Sequence, residues 1–223
     1  MKIKGAIFDC DGTLIDSLGF WEIFYTKVGE HFFGNSDFAV EPDDDHAMRT
    51  QNAHFLAKLM HEKYGVAESA EVLRRWFIDL LVWYYDEVVG PKAGAREFLS
   101  YLKQNNVKMM VATASESGDV RRVLQRHGML EYFDGVISCT EAGAGKDKPD
   151  VFFAAEKLLG TPHEQTWVFE DSVLAIETAK KAGFPVVGVY DSHTFGQKRA
   201  RELSDTYVDE GRSFTELIPK FES

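Results

Sequence analysis

Two aspartates one residue apart, Asp9 and Asp11, close the apolar run Ala6-Ile7-Phe8, and Gly12 and Thr13 follow at once. A carboxylate at the end of a strand that wants burial must be paired, ligate a metal or do chemistry. Other apolar runs end in the same way. Thr113-Ala114-Ser115 follow the run from Val107 to Ala112, and Glu170-Asp171 follow the run from Thr166 to Phe169. A glycine-rich stretch, AGAGKDKPD, carries Lys146 and Lys148 beyond Val136-Ile137-Ser138. Four carboxylates gathered at one place cannot all stay ionised unaided, and a divalent cation resolves the conflict. Hard oxygen donors with few sulfur or imidazole ligands suit Mg²⁺, which also shares its coordination sphere with substrate phosphate. A phosphoryl group in such a site would meet Mg²⁺, Lys146, the Thr113 hydroxyl and free backbone N–H groups. That is a phosphoryl-transfer site.

Each piece has a plainer reading. D-x-D-G opens calcium-binding EF-hand loops, but those need glycine at the sixth position and glutamate at the twelfth, where this chain has Leu14 and Phe20. Asp9 alone could cap a helix; its partner Asp11 and the distant Glu170-Asp171 argue against that. Asp16 and Ser17 read as caps of the helix that follows, Asp150 as a charge at a helix N-terminus, and Lys148 as a solvated loop residue. None of the seven histidines pairs with another at metal-ligand spacing.

The elements that must position these residues alternate. Ile3 to Phe8 reads as a strand. Beyond Gly90-Pro91 come helix 94–103, strand 107–112, helix 117–128, strand 136–138, helix 149–160, strand 166–169, helix 173–182 and strand 185–190. A weak helix, a small strand at Tyr207-Val208 and a last turn from Ser213 complete the tail. Such alternation predicts an α/β, Rossmann-like, doubly wound parallel sheet with helices on both faces and ligands beyond the carboxyl ends of the strands. Between these parts, residues 16–89 carry no strand pattern. Phe20, Trp21, Phe24 and Val28 share a helical face, as do Met48, Asn52, Phe55, Leu56, Leu59 and Met60, and then Leu73, Trp76, Phe77, Leu80, Leu81 and Tyr84. The expected organisation is a core of residues 1–15 and 90–223 with an inserted all-helical domain at 16–89.

The chain has 223 residues, 44% of them hydrophobic and 27% charged, an ordinary globular balance. Its net charge of −11 argues against nucleic acid as a partner. No apolar stretch has the length of a membrane span or a signal peptide, and Cys10 and Cys139 do not form a C-x-x-C pair. The expectation is a soluble cytoplasmic protein, monomer or weak dimer, that meets a small phosphorylated metabolite and no membrane.

The sequence resembles the haloacid dehalogenase superfamily of phosphohydrolases. DCDGTL at 9–14 matches the first motif, D-x-D-G-T/V, and Thr113 the second. GKDKPDVF is similar to the third, K-P-x-P-D, with Lys146 as its lysine and Asp147 where proline is usual. VFEDSVLAIETAKKAG at 168–183 looks like the fourth, with Ala175 in place of a glycine. Cys10 replaces a bulky apolar residue between the aspartates and is expected to pack. The helical insertion after the first motif is similar to the cap of the phosphoglycolate phosphatase and β-phosphoglucomutase branch.

The resemblance implies two displacements. Asp9 attacks phosphorus and forms an aspartyl phosphate. Asp11 protonates the leaving alcohol and then deprotonates the hydrolytic water. Mg²⁺ is held by Asp9, the Asp11 carbonyl, Asp171 and Glu170, while Lys146, Thr113 and Ala114 hold the phosphoryl oxygens. Dehalogenation, the namesake reaction, uses relatives that lack the second aspartate and the acidic fourth motif. A β-phosphoglucomutase-like transfer to a sugar would use the same residues as hydrolysis. Between Lys27 and Arg49 there is no Lys or Arg, whereas Glu30, Asp37, Glu41, Asp43, Asp44 and Asp45 all occur. This pattern favours a leaving group without a second anion over phosphoglycolate.

Overall fold

The computed structural model describes residues 1–50 and 53–221 of the chain. The chain packs as two compact units, one of Met1–Leu18 with Val89–Ser223 and the other of Gly19–Val88.

The first unit is built on a sheet of six parallel strands in the order β3-β2-β1-β4-β5-β6. They are β1 (Gly5–Phe8), β2 (Lys108–Thr113), β3 (Gly135–Ser138), β4 (Thr166–Glu170), β5 (Val186–Val189) and β6 (Thr206–Val208). All four residues of β1 are buried, as an unbroken apolar run in a central parallel strand should be. Its register sets Phe8 beside Val111 of β2 on one side and Phe169 of β4 on the other. The direction of winding reverses about β1. The next residue, Asp9, therefore stands at the topological switch point.

Both faces of the sheet are covered by helices that follow Val89 in the chain. In chain order the helices are α1 (Phe20–Val28), α2 (Pro42–Thr50), α3 (Ala53–Tyr64), α4 (Ala70–Trp83), α5 (Ala95–Gln104), α6 (Ser117–Arg126), α7 (Cys139–Ala142), α8 (Asp150–Leu159), α9 (Val173–Lys181), α10 (Gln197–Leu203) and α11 (Ile218–Phe221). On one face Ile7, Met110, Ala112, Val168 and Val186 meet Val151, Phe152 and Ala155 of α8, Ile176 and Ala179 of α9 and Ala200 of α10. The other face is aromatic. Phe8 stacks on Phe169 with ring centroids 4.1 Å apart, and Phe98 of α5 lies 5.7 Å from Phe169, 5.8 Å from Phe214 and 6.1 Å from Phe221. Phe98 is fully buried, so its truncation to alanine would leave a cavity as well as lost transfer energy.

The second unit is helical. Phe20, Phe24 and Val28 of α1, Met48 of α2, Leu56 and Met60 of α3, and Leu73 and Phe77 of α4 are buried. Phe24 and Phe77 meet edge to face at 5.2 Å. A Ser69 side chain caps α4 by accepting from the Val72 N–H at 3.3 Å. Phe55, read from spacing as part of the inward face, is exposed; Ala57 takes the buried place instead. Asn52 lies outside the described residues. Part of the acidic stretch is balanced inside this unit. Glu30 pairs with Lys27, Asp44 with Lys63, and Asp45 with Arg49 and the Tyr25 hydroxyl.

Asp16 and Ser17 do not cap α1. Its N-cap is Gly19, without a side-chain hydrogen bond. Asp16 pairs instead with Lys92 at 3.1 Å, and Ser17 is buried with its hydroxyl donating to Asp11. The segments leading out of and back into the first unit run side by side. Ile15 bridges Pro91, the Asp16 N–H donates to the Gly90 carbonyl and the Lys92 N–H to the Leu14 carbonyl, both at 2.9 Å. Among the described residues, no helix is long and apolar enough to cross a membrane.

Candidate active site

The carboxyl end of β1 is the centre of the site. The Asp9 N–H still belongs to the sheet, donating to the Phe169 carbonyl at 2.9 Å. The chain then turns so tightly that the N–H groups of Thr13, Leu14 and Ile15 all point at the Cys10 carbonyl. Gly12 makes this turn possible with φ +81°, and a Cβ there would come within 2.8 Å of Asp171 Oδ2. Cys10 is fully buried in the core.

Asp9, Glu170 and Asp171 bring one carboxylate oxygen each to within 4.8 Å of one another, and all three residues are buried. Lys146 reaches them from the loop between α7 and α8, pairing with Asp9 Oδ1 and, at 2.6 Å, with Glu170 Oε1. Lys148, two residues on, is exposed. Three carboxylates against one ammonium leave two negative charges in a closed place. The pKa shifts record the cost. Burial pushes the Asp9 carboxyl well up against the opposing pull of Lys146, and Glu170, Asp171 and Asp11 add to the rise. Burial, then the Glu170 charge, pushes Asp171 up to about 7. Burial works against the Lys146 charge as well, but Asp9 and Glu170 outweigh it and hold the ammonium well above its ordinary range. A divalent cation would bring the count to balance, and an all-oxygen donor set fits a hard ion such as Mg²⁺.

Each carboxylate is oriented by neighbours. The Ser172 N–H donates to Glu170 Oε2 at 3.1 Å. Asp171 takes the Thr13 hydroxyl on Oδ1 at 3.0 Å and the Thr194 hydroxyl on Oδ2. The Asp11 carboxylate stands apart from the trio and accepts Ser17 Oγ and Ser115 Oγ, each at 2.7 Å. Thr113 closes β2, fully buried, with its Oγ1 accepting the Ser115 N–H at 3.0 Å; Ala114 beside it is exposed. All seven residues singled out from sequence therefore lie at the ends of β1, β2 and β4 or in the loop that delivers Lys146. Thr13, Ser17 and Thr194 were not among them. Thr13 follows the aspartates directly. Thr194 is 23 residues from the carboxylate it serves and carries no local signal.

The chain matches the haloacid dehalogenase-like hydrolase family over residues 3–183. It is 35% identical over 197 residues to the fructose-1-phosphate phosphatase YqaB of Escherichia coli K12, covering 84% of this chain and 97% of that one. It is 26% identical over 196 residues to a phosphorylated carbohydrates phosphatase of Thermotoga maritima, covering 87% of this chain and 89% of the relative. The crystal structure of CbbY from Rhodobacter sphaeroides in complex with phosphate superimposes with a TM-score of 0.75, at 21% identity over 96% of each chain.

Proposed function

This chain belongs to the haloacid dehalogenase-like hydrolases, and on that premise we propose that it is a Mg²⁺-dependent phosphatase. Its substrate is a small monoester, a sugar or alcohol phosphate, and the reaction passes through an aspartyl phosphate on Asp9. The observation that carries this reading is the buried trio Asp9, Glu170 and Asp171 bridged by Lys146. The names of the relatives, phosphatases of phosphorylated carbohydrates and of fructose 1-phosphate, support a sugar phosphate as substrate.

Asp9, Asp171, Glu170 and the Asp11 carbonyl would hold the Mg²⁺. When bound, the ion supplies the positive charge that lets an anionic nucleophile approach an anionic phosphate. An Asp9 oxygen attacks phosphorus in line. The new P–O bond forms as the ester P–O bond breaks, and the departing oxygen takes its proton from Asp11. In the second half Asp11 takes a proton from water, whose oxygen attacks phosphorus. The acyl-phosphate bond breaks, inorganic phosphate leaves and the Asp9 carboxylate is restored. Ser17 and Ser115 suit this exchange, because a hydroxyl can donate to the carboxylate or accept from the acid. Lys146, the Thr113 hydroxyl and the Ala114 N–H hold the phosphoryl oxygens and neutralise charge in the transition state. The inserted helical unit is the candidate determinant of which ester is accepted.

The test is free-phosphate release from a panel that includes fructose 1-phosphate, glucose 1-phosphate, glucose 6-phosphate and phosphoglycolate. Mg²⁺-dependent release from a sugar phosphate is expected, with activity abolished by excess EDTA and by Asp9→Asn. Turnover that persists in EDTA, or in Asp9→Asn, removes the mechanism. Isomerisation of glucose 1-phosphate to glucose 6-phosphate without phosphate release makes the enzyme a mutase on the same residues.

A further inference from the structure

Thr194 belongs to no motif, yet it touches the candidate metal site. Its hydroxyl donates to Asp171 Oδ2, opposite the Thr13 hydroxyl on Oδ1. The loop that delivers it, after β5, is fixed on both sides. Upstream, Asp191 is fully buried; its carbonyl accepts the Thr194 N–H at 3.2 Å and its Oδ1 accepts the His193 N–H at 2.8 Å. Lys92 Nζ sits 2.5 Å from Asp191 Oδ2 and 3.1 Å from Asp16 Oδ1. Downstream, the Thr194 carbonyl accepts Gln197 Nε2 at 3.1 Å, and Gln197 Oε1 accepts the Tyr207 hydroxyl of β6 at 2.5 Å. A single hydroxyl is thus held by a partly buried ion pair and a side-chain hydrogen-bond chain.

We propose that Thr194 is a positioning residue for the metal site: its hydroxyl aims the Asp171 carboxylate, and the Lys92–Asp191 pair holds the loop that presents it. This rests on the reading of Asp171 as a Mg²⁺ ligand. A carboxylate ligand needs a lone pair for the metal and a fixed plane; its two oxygens offer about four lone-pair sites, so a donor on each oxygen fixes the plane and still leaves room for the ion. Outer-sphere partners of this kind are worth about 10–100-fold in metal affinity. Thr194→Val keeps the branched shape and removes the donor. Thr194→Ser keeps the donor and removes the methyl group.

The experiment is calorimetric titration of the full chain with MgCl₂ alone, without substrate, alongside thermal unfolding in EDTA. Thr194→Val is expected to weaken Mg²⁺ binding about tenfold or more, with Thr194→Ser close to wild type. Lys92→Met, which leaves the hydroxyl in place but frees its loop, is expected to weaken binding in the same direction. Should Thr194→Val fail to fold, Thr194→Ala is read in its place, since this partly exposed position tolerates truncation. Wild-type affinity in the variant that lacks the donor overturns the inference while the phosphatase reading stands. A wild-type protein that binds no Mg²⁺ overturns both.

Discussion

Gly12 does two jobs at once. Its φ of +81° is a conformation that L side chains rarely adopt, and the space a Cβ would need is taken by Asp171. Gly12→Ala should therefore cost about 1–2 kcal/mol from the backbone alone. It should also push Asp171 off its hydroxyl partners, so phosphate release should fall further than stability does. Parallel measurement of Tm and activity checks this; loss of stability without loss of activity would separate the glycine from the site. The charged members of the site were legible in the sequence, because Asp9, Glu170 and Asp171 each end an apolar run and burial gives a charge there a reason. Their hydroxyl partners were not. Ser17 carries the same signature as a helix cap, a small hydroxyl before an apolar stretch. Only the folded turn at Cys10 reveals that it faces Asp11 instead. Thr194 depends on a loop that folds back across the strand ends, and no short-range pattern encodes that.

Among the elements, the short helix α7 prepares the arrival of Lys146. It is held by a reciprocal cap: Ser138 Oγ accepts the Glu141 N–H at 3.1 Å, and Glu141 Oε2 accepts the Ser138 N–H at 2.7 Å. Ser138→Ala should lower stability by about 1 kcal/mol, the usual worth of such a cap. It should also raise KM more than it lowers Tm if the cap steers the lysine loop. Urea unfolding and steady-state kinetics on the same variant distinguish the two effects. The S-x-x-E signature of this cap stands in the sequence at 138–141, between the short strand and the glycine-rich stretch. The strands and long helices of the first unit were legible because apolar runs alternate with helical spacing. Their ends moved by one or two residues, and the strand read as Ile3 to Phe8 begins only at Gly5. In the second unit spacing misplaced Phe55, since a helix with a modest apolar face does not say whether the residue before Leu56 or the one after it turns inward.

For the molecule as a whole, the carboxylates proposed to hold the metal also make stability depend on pH. Asp171 has its proton affinity raised in the folded chain, from 3.8 to about 7. Between those values the folded protein binds more protons than the unfolded one, so stability falls as pH rises through that window. The metal-free protein should lose Tm across this range, and Mg²⁺, which takes ionised ligands, should restore more of it at the upper end than at the lower. Asp171→Asn should make the metal-free profile shallower, with the raised Asp9 carboxyl keeping its own share of the slope, and should reduce the Mg²⁺ gain. Thermal scans with and without MgCl₂ across the range check both; a Mg²⁺ gain independent of pH would disconnect these acids from the ion. One feature of the first unit reaches beyond this chemistry. Because Ile15 bridges Pro91 and Asp16 bonds to Gly90, the seventy residues of the second unit leave and return through a single paired doorway. A sheet whose insertion begins and ends at one point is indifferent to what is threaded there. The helical module can lengthen, shrink or be exchanged for another at little more than the entropy of closing a loop, and the ladder between the parallel strands is left as it was.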